Sequence, residues 1–222
     1  VLDDSAIDGS IDLHQIPVFA NGNVILHGYK ASIGKLIRQT TPDLIYVNHE
    51  PYAVSTAQAC WANIRTTNVP FGFYSCQNIQ KSYPPPFSWC EKMVYQNSAF
   101  AFPITEAVSE VLAHKGYIGS RTVCPLPLDP AKYSPHFRRS PPSDFPVTSD
   151  HPVIGFVGRL TEAKGLRTLA KALVMIADLS WSFVVIGTGE FQEEFTQLLN
   201  MGKIGSRVAF AGFVPHEETP RW

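Results

Sequence analysis

Short apolar runs alternate with helical patterns from Leu44 onward, and this alternation limits the fold more than any other feature of the sequence. The runs Leu44–Val47 and Phe71–Tyr74 are short and rich in aliphatic and aromatic residues, which is typical of buried strands. The segment between them has apolar residues at spacings of three and four, at Val54, Ala57, Trp61 and Ile64. This spacing predicts a helix with one buried stripe, and the whole pattern predicts an α/β protein with helix-covered parallel sheets.

The same pattern continues along the rest of the chain. Further strands are predicted at Ala99–Ile104, Val153–Val157, Phe183–Ile186 and Val208–Phe210. The three prolines of Tyr83–Phe87 hold that segment extended, so the next helix can begin only after it. Thr105 is predicted to cap the N-terminus of a helix that ends at Lys115 and Gly116.

A proline-rich segment divides the pattern into two parts. Residues 135–151 contain four prolines and no hydrophobic period, which predicts a linker. We therefore predict an N-terminal domain at residues 1–134 and a C-terminal domain at residues 152–222. Two parallel-sheet domains that face each other leave a cleft, and open parallel sheets bind ligands at the carboxyl ends of their strands.

Composition and charge exclude several classes of protein. The chain of 222 residues is 45% hydrophobic and 17% charged, with a net charge of -1, which argues against a dedicated nucleic-acid binder. It contains no apolar run of about 20 residues and no export signal at its start. Its four cysteines are widely spaced, at Cys60, Cys76, Cys90 and Cys124. This spacing predicts reduced thiols in a cytoplasmic protein and no metal site.

The segment from Val157 to Leu166 offers the clearest candidate site. A strand end is followed by Gly158 and Arg159, and Lys164 precedes a predicted helix. A diphosphate fits such a segment, because glycine permits close approach, free N–H groups at a helix start donate to phosphate oxygens, and two cations neutralise charge. The alternative is that both cations cover a solvated loop.

These residues resemble a known family. Gly158–Arg159, then Lys164–Leu166, are similar to the signature of the retaining glycosyltransferases of family four, which have the GT-B fold of two Rossmann-like domains. The segments Val184–Glu190 and Val208–Val214 resemble the second and third strands of the same domain. The resemblance implies that Arg159 and Lys164 hold the diphosphate of a nucleotide-sugar donor and stabilise the leaving group. It also implies donor contacts at Gly158, Gly187, Gly189, Glu190, Phe213 and Val214.

The N-terminal part resembles the acceptor domain of this family, with departures. Pro127 stands where the family usually has glycine, and Ser75–Asn78 lacks the histidine that many members carry near the transferred sugar. Gln77 and Asn78 are candidates to bind the donor sugar or the acceptor, and the alternative is that both amides cap local backbone. Glu50, after a predicted strand, is a candidate to orient an acceptor hydroxyl, or else complements the dipole of the next helix. His49 has no partner at metal spacing, and we expect it to be non-catalytic.

The expected function is transfer of a sugar from a nucleoside-diphosphate sugar to a carbohydrate, lipid-linked or small-molecule acceptor, with retention at the anomeric carbon. The nucleotide sugar is a co-substrate, and we expect neither a cofactor nor a metal. The family's paired-glutamate motif and its opening strand are not found, so we expect the chain to be incomplete at both ends and inactive or weakly active alone. Peripheral membrane association of the full-length protein stays open. The alternatives are a non-catalytic nucleotide- or carbohydrate-binding fragment and, third, a dinucleotide-binding enzyme, although no Gly-x-Gly-x-x-Gly follows a predicted strand.

Overall fold

The chain forms two compact units, seen in a computed structural model that describes residues 11–128, 130, 133 and 151–222. Unit 1 is Val1–Pro127 and unit 2 is Leu128–Trp222. The predicted linker at 135–151 lies outside the described residues apart from its last position, so the predicted domain bounds stay predictions. Among the described residues, no helix is long and apolar enough to cross a membrane.

Unit 1 is built on a four-stranded parallel sheet. Its elements in chain order are β1 (Val18–Phe19), β2 (Gly28–Tyr29), α1 (Ile33–Thr40), β3 (Ile45–Val47), α2 (Val54–Ile64), β4 (Phe71–Ser75), α3 (Phe87–Asn97), β5 (Phe100–Pro103), α4 (Glu106–His114) and β6 (Ser120–Arg121). The sheet has the order β3-β4-β5-β6, and β1 and β2 form a separate antiparallel pair. The predicted alternation of strands and helices is therefore confirmed in this unit.

The core of unit 1 comes from alternate residues of β4. Phe71 and Phe73 are 1% and 0% exposed and pack with Val94 of α3 and Leu112 of α4. Thr105 caps α4 as predicted, because its side chain accepts a hydrogen bond from the amide of Val108. The capped helix thereby holds its apolar face against the sheet.

Helix α2 differs from its predicted orientation. Trp61, predicted to be buried, is 50% exposed, whereas Cys60 is fully buried. The helix buries small and polar side chains that the hydrophobic pattern could not reveal, among them Ser55, Thr56 and Asn63. Asn63 is stabilised there because its amide donates to the carbonyl oxygen of Val69 at 2.8 Å and its side-chain oxygen accepts from the amide of Val69 at 3.1 Å.

Unit 2 is a three-stranded parallel sheet with two helices packed against it. Its elements are β7 (Val153–Val157), α5 (Leu166–Met175), β8 (Ser182–Ile186), α6 (Gln192–Met201) and β9 (Val208–Gly212). The strand order is β7-β8-β9, and a short 3-10 helix at Glu162–Lys164 precedes α5. Phe183 and Val185 of β8 are fully buried against Leu173 of α5 and Phe195 of α6. The carboxyl ends of all three strands therefore lie at one edge of this sheet.

Candidate functional site

The carboxyl ends of β7, β8 and β9 surround a cavity of about 210 Å³. Its lining residues are Val157, Gly158, Arg159, Ile186, Gly187, Thr188, Phe213, Val214 and Thr219. We call this site the strand-end corner. It brings together five of the residues expected to bind the donor, and Lys164, Gly189 and Glu190 do not line it. Thr219 also lines the cavity, and no motif in the sequence pointed to it.

Glycine allows the two loops of the strand-end corner to approach each other. Gly187 has φ +128°, and a Cβ atom there would lie 2.0 Å from the carbonyl oxygen of Gly158. The amide of Gly158 donates to Ile186 at 3.0 Å, and the amide of Gly187 donates to Gly212 at 2.7 Å. Any side chain at Gly187 would therefore separate loops that backbone hydrogen bonds hold together.

Gly189 does not line the cavity, but it allows the turn after β8 to approach the loop after β7. A Cβ atom at this position would lie 2.3 Å from the carbonyl oxygen of Leu160. The amide of Leu160 donates to Thr188 at 3.0 Å, and its carbonyl oxygen accepts from the amide of Phe191 at 2.9 Å. The turn after β8 thus fixes the loop after β7, while Glu190 is exposed beside it.

The two cations of the candidate site are exposed. Neither Arg159 nor Lys164 forms an ion pair with a described residue. Arg159 lines the cavity, whereas Lys164 lies on the 3-10 helix before α5. By contrast, Arg167 forms ion pairs with Glu162 and Glu194. The charge of Arg159 is therefore free to meet an anion at the cavity, which that of Arg167 is not.

In unit 1, Glu50 connects the ends of β3 and β4. One carboxylate oxygen accepts a hydrogen bond from the Ser75 hydroxyl at 2.8 Å, and the other accepts from the amide of Cys76 at 2.7 Å. Burial raises the pKa of Glu50, and these two hydrogen bonds oppose that rise. Both oxygens are occupied, so Glu50 holds the turn after β4 in place.

The two predicted amides of this turn differ in their contacts. The side chain of Gln77 donates to the carbonyl oxygen of Ile79 at 2.6 Å and accepts from the Tyr83 hydroxyl at 3.4 Å. Asn78 is exposed, and its side chain makes no hydrogen bond to the described part of the chain. Gln77 therefore caps local backbone, as the alternative for both residues supposed. The side-chain amide of Asn78 is available to a ligand.

Tyr83 packs against a charged and aromatic cluster that the sequence did not reveal. Tyr83 stacks on Tyr52 with ring centroids 4.1 Å apart, and the Lys115 ammonium lies 4.9 Å from the Tyr83 ring centroid. Lys115 also forms an ion pair with Glu91, and these side chains are only 10% and 12% exposed. The Glu91 carboxylate accepts a further hydrogen bond from Tyr95 at 3.4 Å. Tyr52 and Tyr83, and likewise Glu91 and Lys115, are far apart in the sequence, so no local pattern could identify these two contacts.

His49 faces His27 at the end of β3. The two rings meet edge to face, with centroids 4.9 Å apart. Burial, and to a smaller degree the neighbouring His27, lowers the pKa of His49. The Nδ1 atom of His49 is buried and has no hydrogen-bond partner among the described residues. Within those residues, no three side chains of histidine, cysteine, aspartate or glutamate converge as metal ligands would.

Comparison with known proteins finds a family that is similar to the segment carrying the strand-end corner. Residues 151–222 match the family Glycosyl transferases group 1. The chain is 28% identical over 149 residues to the 2-deoxystreptamine glucosyltransferase of Streptomyces kanamyceticus, covering 64% of this chain and 38% of the relative. It is 49% identical over 69 residues to granule-bound starch synthase 1 of Pisum sativum, covering 31% of this chain and 11% of that protein. The chain thus spans well under half the length of these relatives.

The fold has solved counterparts. The structure of HepE from Anabaena in complex with UDP matches with a TM-score of 0.65 and 17% identity, covering 85% of this chain and 53% of that one. At that identity the likeness shows the fold, which is the GT-B fold of glycosyltransferases. The strand-end corner lies entirely within the matched family segment. Residues 151–222, less than half of the chain, are therefore similar to the glycosyl transferases group 1 family.

Proposed function

We propose that this chain carries the donor-binding part of a glycosyltransferase, which transfers a sugar from a nucleoside-diphosphate sugar with retention at the anomeric carbon. The observation that carries the proposal is Arg159, an exposed guanidinium without an ion pair to any described residue, at a cavity between Gly158 and Gly187. A planar guanidinium suits phosphate oxygens, since it donates two parallel hydrogen bonds. The match of residues 151–222 to a glycosyltransferase family favours this function over non-catalytic binding.

The size of the cavity agrees with a partial donor site. At about 210 Å³ it is smaller than the roughly 300 Å³ at which ordinary ligand pockets begin. We assign it to the diphosphate and the adjacent part of the nucleotide. Uridine is the first base to test, because the HepE structures contain UDP and UDP-glucose.

The chemical role of Arg159 and Lys164 is electrostatic. When the bond between the sugar and the diphosphate breaks, negative charge grows on the diphosphate, and nearby cations stabilise that charge more in the transition state than in the ground state. The long, flexible side chain of Lys164 supplies a second charge from the 3-10 helix before α5. Removal of one such group typically lowers kcat by about 100-fold to 1,000-fold.

On the acceptor side, we assign different roles to three residues. Glu50 is a positioning residue, since both of its oxygens hold the turn at Ser75 and Cys76. Gln77 stabilises the same turn through the carbonyl oxygen of Ile79. The exposed amide of Asn78 is the group that we assign to an acceptor hydroxyl.

The test is release of nucleoside diphosphate from a panel of nucleotide sugars, beginning with UDP-glucose, with the protein expressed from its whole open reading frame. We expect release with at least one donor, and about 100-fold less with Arg159→Gln. Lys171→Gln is the matched control, because Lys171 is also exposed in unit 2 and lies outside the cavity. Release that is equal in both variants would contradict the role of Arg159, and NMR of the product anomer tests retention.

A further inference from the structure

A second basic surface lies in unit 1, where α1 lies beside the C-terminal half of α2. A groove of about 310 Å³ opens there, and Ser32, Arg38, Trp61 and Arg65 are among its lining residues. We call it the α1–α2 groove. Helix α2 spans 11 residues, which is about 16 Å of axis, and its other end adjoins Glu50 and the acceptor side. The groove is therefore separate from the residues assigned to the acceptor.

The surroundings of the groove are deficient in carboxylates. Between Asp12 and Glu91 the sequence contains only two acidic residues, Asp43 and Glu50, and Glu50 lies at the other end of α2. The carboxylate of Asp12 lies 3.0 Å from the imidazole of His14. The same stretch carries five cations, which are Lys30, Lys35, Arg38, Arg65 and Lys81. The groove itself has two arginines and no acidic residue in its lining. Its charge is thus uniformly positive.

The two arginines of the groove are available to an external anion. Arg38 and Arg65 are both exposed, and neither forms an ion pair with a residue in the described part of the chain. Two guanidinium groups at one groove suit phosphate, because each can donate two parallel hydrogen bonds to its oxygens. The groove is also large enough for a small polar group, since ordinary ligand sites begin at roughly 300 Å³.

Apolar side chains accompany these cations at the surface. Trp61 is 50% exposed, and the Arg65 guanidinium lies 4.4 Å from the centroid of its ring. A neighbouring depression shares Ser32 with the groove and adds Lys35 and the 40% exposed Leu13. Tryptophan is favoured at the boundary between water and lipid, and cations beside it bind anionic headgroups. A soluble phosphate would use the arginines, whereas a bilayer surface would also contact the exposed apolar faces of Trp61 and Leu13.

From this combination we propose that the α1–α2 groove docks the protein on the surface of a bilayer that contains anionic phospholipid. Arg38 and Arg65 bind the phosphate groups of the headgroups. Trp61 enters the interfacial layer beside them. The contact is peripheral, because it uses a few side chains at the ends of two helices rather than a spanning segment.

The first test measures co-sedimentation of the protein with vesicles of phosphatidylcholine alone and of phosphatidylcholine with phosphatidylglycerol. We expect binding only to the anionic vesicles, and loss of that binding at high salt. The double variant Arg38→Gln, Arg65→Gln should bind about 30-fold more weakly, because each cation near an anionic bilayer contributes a factor of roughly five. The matched control Lys81→Gln, Lys92→Gln removes the same charge outside the groove and should lose much less.

A second measurement separates docking from non-specific attraction and from a soluble anion. Tryptophan fluorescence should shift to shorter wavelength with anionic vesicles, and Trp61→Phe should remove the shift. Trp89→Phe should retain it, although Trp89 is also exposed, at 68%. Equal vesicle binding by the two double variants, or a shift that survives Trp61→Phe, would overturn the proposal. So would saturable binding of inorganic phosphate, lost in the arginine variant, without vesicle binding.

Discussion

Substitution of Gly187 by alanine should force apart the two loops of the strand-end corner and destabilise unit 2. The new Cβ atom would lie 2.0 Å from the carbonyl oxygen and 2.9 Å from the carbonyl carbon of Gly158, and both are backbone atoms. Backbone at φ +128° is also strained for alanine, by about 1–3 kcal/mol. Forcing the loops apart adds about 1–3 kcal/mol more. We therefore expect Gly187→Ala to destabilise unit 2 by about 2–6 kcal/mol, a large part of an ordinary domain's stability.

The assay is urea unfolding followed by circular dichroism, with binding of UDP measured below the transition. Gly155→Ala is the control, because Gly155 lies on β7 of the same unit and a Cβ atom there would meet nothing within 4 Å. Gly155→Ala should change the free energy of unfolding by less than about 1 kcal/mol. If Gly187→Ala proves as stable as Gly155→Ala and binds UDP equally, the close approach of the two loops does not build the site.

Two further predictions concern unit 1. Burial raises the pKa of Glu50 above its ordinary 4.5. Between pH 4.5 and the raised pKa, Glu50 therefore holds its proton more often in the folded state than in the unfolded chain. The contribution of Glu50 to the free energy of unfolding is thus greatest at low pH and falls as pH rises through the raised pKa. Urea unfolding at a series of pH values measures this decline. Glu50→Gln should remove the decline, and the control Glu110→Gln should keep it. Lys115→Ala should cost about 3–5 kcal/mol, since it leaves the Glu91 carboxylate, only 12% exposed, without its cation. The exposed Lys92 is the comparison, and thermal melting that does not separate Lys92→Ala from Lys115→Ala would contradict this account.

Strands β3, β4, β5, β7, β8 and β9 were predictable because each is a short apolar run bounded by turn residues. Residues 153–157 were predicted to be a strand, and β7 has those bounds. The antiparallel pair β1–β2, helix α1 and the short strand β6 were not predicted. Helix α1 is only 8 residues long, so it offers little more than two turns of hydrophobic period.

Burial was harder to predict than secondary structure. The orientation of α2 was wrong at Trp61 because the buried face of this helix is made of small and polar side chains. The buried Asn63 side chain is stabilised by its hydrogen bonds to the backbone of Val69, and hydrophobic spacing does not show such bonds. Hydrophobic spacing identifies a buried face only when large apolar residues form it.

At the candidate site, the sequence predicted the motif better than its geometry. Gly158 and Arg159 could be identified locally, and both line the cavity. The requirement for glycine at position 187 depends on the distance to the Gly158 carbonyl oxygen, and such a contact between loops is set by the pairing of β7 with β8.

The central claim is that the strand-end corner binds a nucleoside diphosphate through Arg159 and Lys164, and it is tested most directly by titration of UDP into the purified chain. Observation of the ³¹P resonances of UDP detects even weak binding at the diphosphate itself. We expect saturable shifts of both phosphorus signals, at least tenfold weaker binding by Arg159→Gln, Lys164→Gln, and little change for Lys171→Gln. Absence of binding, or equal affinity in the site variant and the control, would contradict the account.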